Sequence, residues 1–363
     1  MKTLPKLVAI SVLALLAIRA DAKSNFDIIA NLDNGPGNVT VTDNGRIIMS
    51  LHQFYQPKFT VVEYKDNTIV PFPNREMVDA DSKAAMKLDS VLGIRSADGI
   101  VWMLDNGMRS RVTPKLVGWD IKADKLHQVI MLPSPIAPKD AFVNDFTVDT
   151  RHNIIVISDP AGGTNAGLIV VNLKTGKVRR VLEGDSSVIP ENVDLIIDKV
   201  PIQIKDNSGK LNRPHIGVNP ITEDLNNEWV YFGPMHGLSL YRIKADDLAN
   251  EYMDDNILAS HVERYSDKPI SDGISIDKDN NIYLGELAEN AIGVITTDRK
   301  YRRLSQCPRL SWVDSFSFGP NGDLFAVVNR LHQSAMLNGG VLSAKPPFYL
   351  LKIHALSSGL PGR

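Results

Sequence analysis

The chain has 363 residues, of which 43% are hydrophobic and 23% are charged, and its formal net charge is −2. This composition is ordinary for a globular protein, and the length allows a large buried core. The nearly balanced charge, without a dense block of Lys and Arg, argues against a nucleic-acid partner or an anionic membrane surface.

The first residues have the pattern of a secretory signal peptide. Lys2 and Lys6 form a positive segment, residues 7–18 are apolar, and an Ala-Asp-Ala cleavage sequence ends at residue 22. The apolar run is shorter than the ~20 residues that a transmembrane helix needs, so we expect no membrane span. The pattern predicts removal of residues 1–22 and secretion, to the periplasm or outside the cell. A buried N-terminal helix is the alternative.

One pattern recurs six times along the rest of the chain. It consists of an alternating apolar run, a polar turn containing Asp, Asn or Gly, and a second apolar run, which is typical of a β-hairpin. The copies occupy residues 38–51, 91–104, 144–158, 214–232, 271–285 and 312–328. Shorter hairpin patterns, such as residues 63–69 and 295–301, alternate with them. Each repeat therefore predicts a four-stranded blade.

Six such repeats predict that residues 23–363 form one domain, an all-β six-bladed propeller. The repeats are longer than a simple blade of ~40–50 residues. The excess falls in insertions at residues 74–88, 185–211 and 330–344. The last repeat stops after a strand at residues 348–353, whereas residues 26–30 form an apolar strand without a partner. We therefore expect the N-terminal strand to complete the last blade and close the ring. A β-sandwich or a right-handed β-helix is the alternative fold.

Polar residues gather at one end of the predicted inner strands. Because the first strand of a blade begins at the channel mouth where the second strand ends, both sets of residues should meet there. The first strands begin at Gly37, Val91, Asn144, Pro214, Asp272 and Asp314, followed by Asn38, Leu92, Asp145, His215, Gly273 and Ser315. The second strands end at His52, Asp105, Asp159, Pro234 (with His236 nearby), Glu286 and Asn329.

This set suggests two kinds of chemistry at the mouth. Asn144, Asp272 and Asp314 could hold Ca²⁺ or another divalent cation, because such ions prefer oxygen ligands. Crowded carboxylates also raise one another's pKa, so Asp145, His215 or Asp272 could act as catalytic proton-transfer groups. Further candidate ligand contacts are Asn144, Asp105, Asp159, His236, Glu286, Asp314 and Asn329. Alternatively, these side chains only cap strands in a water-filled channel.

Local catalytic motifs of several common enzyme classes are missing. The sequence contains no G-x-S-x-G, H-E-x-x-H or C-x-x-C pattern. Serine-hydrolase, zincin and thioredoxin-like functions therefore have no local support.

Several segments around the predicted mouth resemble the yellow / major royal jelly protein family. They are VNDFTVD at residues 143–149, SDPAGG at 158–163, RPHIGVNP at 213–220, SDGISID at 271–277 and SWVDSFSFGPNGDLFAVVNRLHQ at 311–333. The resemblance runs from about residue 93 to residue 332. It implies a secreted six-bladed propeller with a ligand site at the central channel. Some members resemble dopachrome-converting tautomerases, some bind small aromatic amines, and others serve in storage or signalling.

The chain is also similar, more distantly, to the senescence marker protein / gluconolactonase group. Propellers of that group hold a divalent cation in a ring of Glu, Asn and Asp. Asn144 and Asp272 match two positions of the ring. Pro214 and His215 occupy the blade between them, and Gly37 stands at the position of the Glu. The resemblance alone therefore leaves metal binding open.

Three functions remain after this reasoning. The first is a secreted monomer that binds a small aromatic or polar metabolite at the channel mouth, with a yellow-like tautomerase or isomerase activity. The second is a metal-dependent hydrolase of the lactonase type. The third is a non-catalytic interaction or scaffold protein that uses the insertion at residues 185–211. In that insertion, Ile189, Val193, Leu195 and Ile196 could form a lid or a protein contact.

Overall fold

A computed structural model describes residues 25–363 of the chain. The predicted signal peptide at residues 1–22 lies outside the described residues, so its removal stays a prediction. Across residues 25–363, six four-stranded antiparallel sheets form a β-propeller, which confirms the predicted fold class.

The first strand of each blade lines the central channel and contacts the first strands of both neighbouring blades. In order around the ring these strands are Pro36–Val41, Val91–Ala97, Phe146–Asp149, Val218–Glu223, Ile274–Ile276 and Val313–Phe318. The contact between the first and the sixth of them closes the circle.

The remaining strands of each blade follow outward in chain order. They are Ile47–Leu51, Val61–Lys65 and Thr68–Pro71 in blade 1; Ile100–Asp105, Lys115–Asp120 and Lys125–Met131 in blade 2; Ile154–Asp159, Gly167–Asn172 and Val178–Val181 in blade 3; Trp229–Pro234, Ser239–Lys244 and Glu263–Asp267 in blade 4; and Ile282–Glu286, Ala291–Ile295 and Tyr301–Gln306 in blade 5.

Blade 6 combines the two ends of the described chain. Its second and third strands are Leu324–Val328 and Phe348–Ile353, and its outermost strand is Phe26–Leu32. The outer pair is antiparallel, with Phe26 opposite Ile353. The predicted closure of the ring by the N-terminal strand is therefore confirmed.

The hydrophobic core lies between blades that pack face to face. Both faces of most strands are covered by a neighbouring blade, so the inner strands are buried on both sides. Trp102 and Leu104 of blade 2, for example, pack against Phe146 and Ile155 of blade 3. The apolar alternation in each repeat is thus explained by contacts between blades.

Helices are short and lie outside the sheets. The α-helices are Arg75–Val78, Ala245–Ala249 and Asp255–Ser260, and the 3₁₀ helices are Gln53–Tyr55, Leu287–Glu289, Pro308–Leu310 and Leu331–Gln333. Among the described residues, no helix is long and apolar enough to cross a membrane.

Two of the predicted insertions meet above one end of the channel. The first forms two small hairpins, Ile196–Ile197 with Val200–Pro201 and Ile204–Lys205 with Leu211–Asn212. The Gln203 amide donates to the Leu337 carbonyl of the other insertion at 2.9 Å.

Apolar residues of the first insertion face inward. Leu195, Ile197 and Ile202 are buried in one cluster with Trp312, whereas Ile196 is exposed. Of the four apolar residues proposed for a lid or protein contact, Leu195 and Val193 therefore help to build the rim of the channel mouth, Ile189 packs against blades 3 and 4, and Ile196 is exposed.

The C-terminal segment covers the opposite end of the channel. Residues 358–363 touch the far end of every inner blade hairpin, and we call this segment the tail. The backbone of the tail forms hydrogen bonds with Thr40, Lys278 and Phe318. The Arg363 guanidinium donates to the carbonyls of Val148 and Glu223. Gly362 packs on Ser96. The channel is thereby open at one end and covered at the other.

Candidate functional site

A cavity of about 1090 Å³ opens where the inner strands begin. Its upper walls are largely apolar and come from the loops and insertions around the mouth. They include Phe54, Phe142, Met235, Leu331, Met336 and Leu337. A concave apolar pocket of this size with a few convergent polar groups is typical of a small-molecule site.

The floor of the cavity is a ring with one residue from each blade. The members are Gly37, Leu92, Asn144, Asn219, Asp272 and Asp314. In blade 2 the position belongs to Leu92, one residue after the predicted Val91. The polar part of the ring thus comes from four consecutive blades, 3 to 6, and we refer to it as the polar arc.

In blade 4 the ring residue differs from the one predicted by comparing the six repeats. Pro214 was expected at the ring, but equivalent hydrogen bonds place Asn219 there. Ser50 Oγ donates to the Leu92 carbonyl of the next blade at 2.7 Å, and Ser158 Oγ donates in the same way to the Asn219 carbonyl at 2.9 Å. The reason is that the insertion continues past Pro214, so counting back from an unusually long turn misplaces the strand.

The side chains of the polar arc form a chain of hydrogen bonds. The Asn144 amide donates to the Asn219 side-chain oxygen. The Asn219 amide in turn donates to Asp272 Oδ1 at 2.5 Å, and Trp312 Nε1 donates to Asp272 Oδ2 at 2.8 Å. These contacts fix the orientation of the Asp272 carboxyl on the cavity floor.

Asp314 is held from the other side of the ring. Its Oδ2 atom accepts from the Asn329 amide at 2.5 Å. The Asn329 carbonyl accepts from the Tyr55 hydroxyl at 2.6 Å. Asn329, a predicted ligand contact, therefore lies behind Asp314 and orients it.

Both acids have raised pKa values. Burial raises the pKa of Asp272 to about 7, although Trp312 and Asn219 oppose the shift. Burial and the nearby charge of Asp272 raise the pKa of Asp314 well above its usual range. Among the described residues, no cationic side chain forms a salt bridge with either acid. Near neutral pH the pair therefore favours protonation of at least one acid or a positively charged partner.

Asp145, a predicted catalytic residue, does not line the cavity. It is buried and pairs with Arg95 at 3.2 Å, while Asn38 donates to its Oδ1 at 3.4 Å. Burial nevertheless raises its pKa, with Arg95 acting against the shift. The structure thus places a compensated ion pair, and not a free carboxylate, beside the ring.

Three other predicted ligand contacts are also engaged in ion pairs. Each lies at the end of a second strand and pairs with a cation from an outer strand of its own blade. The pairs are Asp105 with Lys115, Asp159 with Arg180 and Glu286 with Arg303, each at 2.7 Å. None of these carboxylates lines the cavity.

The two predicted histidines lie in different surroundings. His215 lines the cavity, and its Nε2 is 3.1 Å from Asp194 Oδ1. His236 is buried behind it and accepts from the Ile216 amide at 3.1 Å. Burial lowers the pKa of His236 to about 3, so this ring is neutral at physiological pH.

The structure therefore brings Asn144, His215, Asp272 and Asp314 to one cavity. Sequence reasoning missed Asn219 as a member of the same floor. A signal for it existed, because the Val-Asn pair at 143–144 recurs at 218–219.

A family comparison agrees with this architecture. Residues 96–312, more than half of the chain, match the family model of the major royal jelly proteins. The chain belongs to this family. No curated protein sequence is significantly similar to it.

Solved structures share the propeller fold at low identity. Regucalcin from Agrobacterium tumefaciens, described as a calcium-binding protein, is 14% identical over 92% of this chain and 95% of its own, with a TM-score of 0.55. A luciferin-regenerating enzyme is 12% identical over the same shares, with a TM-score of 0.55. A gluconolactonase from Xanthomonas campestris is 11% identical over 91% and 88%, with a TM-score of 0.51.

Proposed function

We propose that this propeller binds a small aromatic compound that carries an amine or another hydrogen-bond donor. The observation that carries the proposal is the pair of buried acids, Asp272 and Asp314, at the floor of an apolar cavity. A buried charge without a protein partner is costly, so a cationic group of a ligand would stabilise the ionised acids. The apolar walls would hold the aromatic body of the ligand.

The same acids could transfer protons in a tautomerase or isomerase reaction. An acid with a pKa near the working pH is an efficient general acid and base. Asp272, whose pKa is raised to about 7 by burial, fits this requirement. In such a step its carboxylate would take a proton from a ligand carbon, the electron pair would move into the conjugated system, and a proton would return to a ligand oxygen. His215 at the cavity wall is the second candidate for that transfer.

Substitution of the acids tests the proposal. We expect Asp272→Asn and Asp314→Asn to weaken binding of an aromatic amine such as tryptamine by about ten-fold or more, because a charge-assisted hydrogen bond is lost. Calorimetric titration measures the affinity, and thermal unfolding verifies that the fold is intact. Asp43→Asn, a change at an exposed surface position, serves as the control. Unchanged affinity in both floor variants would contradict the proposal.

A divalent-cation-dependent hydrolase of the lactonase type is the second candidate. It is favoured by the four oxygen-bearing side chains of the polar arc on consecutive blades. The donor set suits a hard cation, because Asp272 and Asp314 bring negative charge and Asn144 and Asn219 bring amide oxygens. In blade 4, Asn219 supplies a side-chain oxygen at the ring position for which the sequence predicted Pro214. Gly37 still contributes no side-chain oxygen.

These four residues would hold the cation on the cavity floor. When bound, it would polarise a lactone carbonyl and lower the pKa of a bound water. Asn329 and Trp312 would keep the carboxyls of Asp314 and Asp272 oriented towards it.

Elemental analysis after mild purification separates the two candidates. A stoichiometric divalent ion that is lost in Asp272→Asn, together with lactone hydrolysis, would favour the hydrolase. Absence of stoichiometric Ca²⁺, Zn²⁺ or Mn²⁺ would count against it and leave ligand binding as the function.

We also propose that the protein is secreted, on the basis of the N-terminal pattern at residues 1–22. Sequencing the N-terminus of the protein recovered from the periplasm or medium tests this directly. A mature chain that begins near residue 23 is the expected result.

A further inference from the structure

The wall contributed by blades 1 and 2 carries a buried donor group that has no acceptor among the described residues. Asn106 lines the cavity and is only 3% exposed. Its Oδ1 atom accepts from the Met108 amide at 3.1 Å, which fixes the orientation of the side chain. Its Nδ2 group has no hydrogen-bond partner among the described residues. Because buried polar groups are normally paired, an unpaired donor at a cavity wall indicates a ligand or water position.

His52 presents a second donor to the same wall. Its Nδ1 atom accepts from the Phe54 amide at 3.2 Å, so the neutral ring carries its proton on Nε2. Burial lowers the pKa of His52 to about 3, which keeps the ring neutral. His52 lines the cavity, and among residues 25–363 no acceptor bonds to Nε2.

The segments that carry these donors are adjacent and held in place. Gln53 Nε2 lies 3.5 Å from Met108 Sδ, which joins the two loops. Asp105 accepts from the Ser90 and Gly107 amides at 2.8 and 3.0 Å and thereby braces the turn that presents Asn106. Donors fixed by the fold need no reorganisation when they receive an acceptor.

We propose that His52 and Asn106 form a subsite for a carboxylate oxygen of the ligand. Asn106 belongs to blade 2, opposite blade 5 with Asp272, whereas His52 belongs to blade 1, which neighbours blade 6 with Asp314. The inference rests on the proposed function and extends it to a ligand class. The ligand is an aromatic amine that also carries a carboxylate, with the amine at Asp272 and Asp314 and the carboxylate at His52 and Asn106.

The test compares two probes that differ only in the carboxylate, tryptophan and tryptamine. Asn106→Asp keeps the oxygen that accepts from Met108 but replaces the amide donor with an anionic oxygen. We expect it to weaken tryptophan binding by about ten-fold or more, because a charge-assisted hydrogen bond becomes a repulsion, while tryptamine binding changes little. Asn67→Asp, the same chemical change at an exposed outer turn, should leave both affinities unchanged.

A second variant covers the case in which Asn106→Asp does not fold. Asn106→Ser retains a hydroxyl that can accept from the Met108 amide and removes the amide donor. A measurement without aromatic probes is also decisive. In ¹⁵N spectra of the wild-type protein, acetate should shift the Asn106 side-chain amide and the His52 ring resonances.

The outcomes separate the subsite from the proposed function. Loss of tryptophan affinity alone supports the subsite, whereas equal losses for both probes, or no loss, overturn it. If tryptamine fails to bind the wild-type protein but acetate shifts the two resonances, the proposed function fails and the subsite stands. If acetate shifts neither resonance and the variants bind tryptophan like the wild type, the subsite is rejected.

Discussion

The two ends of the central channel contain similar acids in different surroundings. At the mouth, burial raises the pKa of Asp272 to about 7. At the far end, burial raises the pKa of Glu223 to about 8, with Asp149 adding to the shift and Arg363 opposing it. The mouth acid faces a cavity of about 1090 Å³, whereas Glu223 is fully buried near the Arg363 guanidinium, 3.9 Å from its Nη2 atom.

This contrast shows why a raised pKa alone does not identify a functional site. Both shifts result mainly from burial, which penalises the charged form of any acid. Of the two ends, the mouth combines the perturbed acid with space for a ligand, and no cation among residues 25–363 pairs with it. A site therefore requires the pKa shift, the cavity and the missing partner together.

We expect the largest effect on stability from adding one methyl group to the tail at the covered end of the channel. A Cβ atom on Gly362, whose φ is +86°, would lie 1.9 Å from the Ser96 carbonyl oxygen. We expect Gly362→Ala to lower the free energy of unfolding by about 2–4 kcal/mol, because the tail cannot pack on blade 2. Urea unfolding measures the loss, and ligand affinity at the mouth should not change.

Gly99→Ala is the matched control for this variant. Gly99 also has a positive φ, +75°, but no atom lies within 4 Å of its ideal Cβ. Its cost should be about 1 kcal/mol, from backbone strain alone. Equal losses in the two variants would show that the tail does not stabilise the ring.

The next effect concerns pH. An acid whose folded pKa is raised stabilises the fold fully below its unfolded pKa and loses that contribution as pH rises through the folded value. For Asp272 the window runs from 3.8 to about 7. The unfolding free energy of the wild type should fall as pH rises across that window. In Asp272→Asn we expect this fall to be smaller by about 1–3 kcal/mol.

Urea titrations at several pH values provide the measurement, with Glu223→Gln as the counterpart at the far end. A ligand or cation that binds at the mouth should reduce the pH dependence of the unfolding free energy that is due to Asp272. The pH dependence that is due to Glu223, whose window extends to about 8, should not change. Suppression of both contributions by the same ligand would contradict the separation of the two ends.

The smallest effect should follow from removing one donor at the mouth. Trp312→Phe deletes the 2.8 Å hydrogen bond to Asp272. We expect a loss of about 1–2 kcal/mol in stability, because one net hydrogen bond disappears and the smaller phenyl ring leaves part of the buried indole site empty. Since that bond favours the ionised form, the pKa of Asp272 should rise further, and the pH profile of amine binding should move to higher pH. A profile that stays in place would show that Trp312 does not control the acid.

The fold was largely predictable because each blade repeats the same hairpin pattern. The unpaired strand at residues 26–30 and the incomplete last blade were enough to predict closure, since an open edge in a ring is unfavourable. The alignment failed in blade 4, where an insertion before Val218 and a long turn after it hid the position of Asn219. Counting along the chain cannot locate a strand whose flanking loops are both irregular.

The candidate site was less predictable than the fold. The mouth ends of the second strands of blades 2, 3 and 5 were located correctly, yet the sequence does not show which of their carboxylates have a cation opposite them. Lys115 and Arg180 stand 10 and 21 residues beyond the acids they neutralise. Pairing across a sheet depends on register, which composition does not reveal. The position of the tail could not be predicted from the sequence, because its contacts follow no periodic pattern.

The tail has a kinetic consequence for whatever occupies the channel. With one end covered by residues 358–363, a ligand arrives and leaves by the same path, past the rim that is built by the two joined insertions. Any group that narrows this rim slows association and dissociation together and leaves the equilibrium affinity unchanged. Residence time in this propeller can therefore be tuned at the rim, while affinity is set separately at the floor.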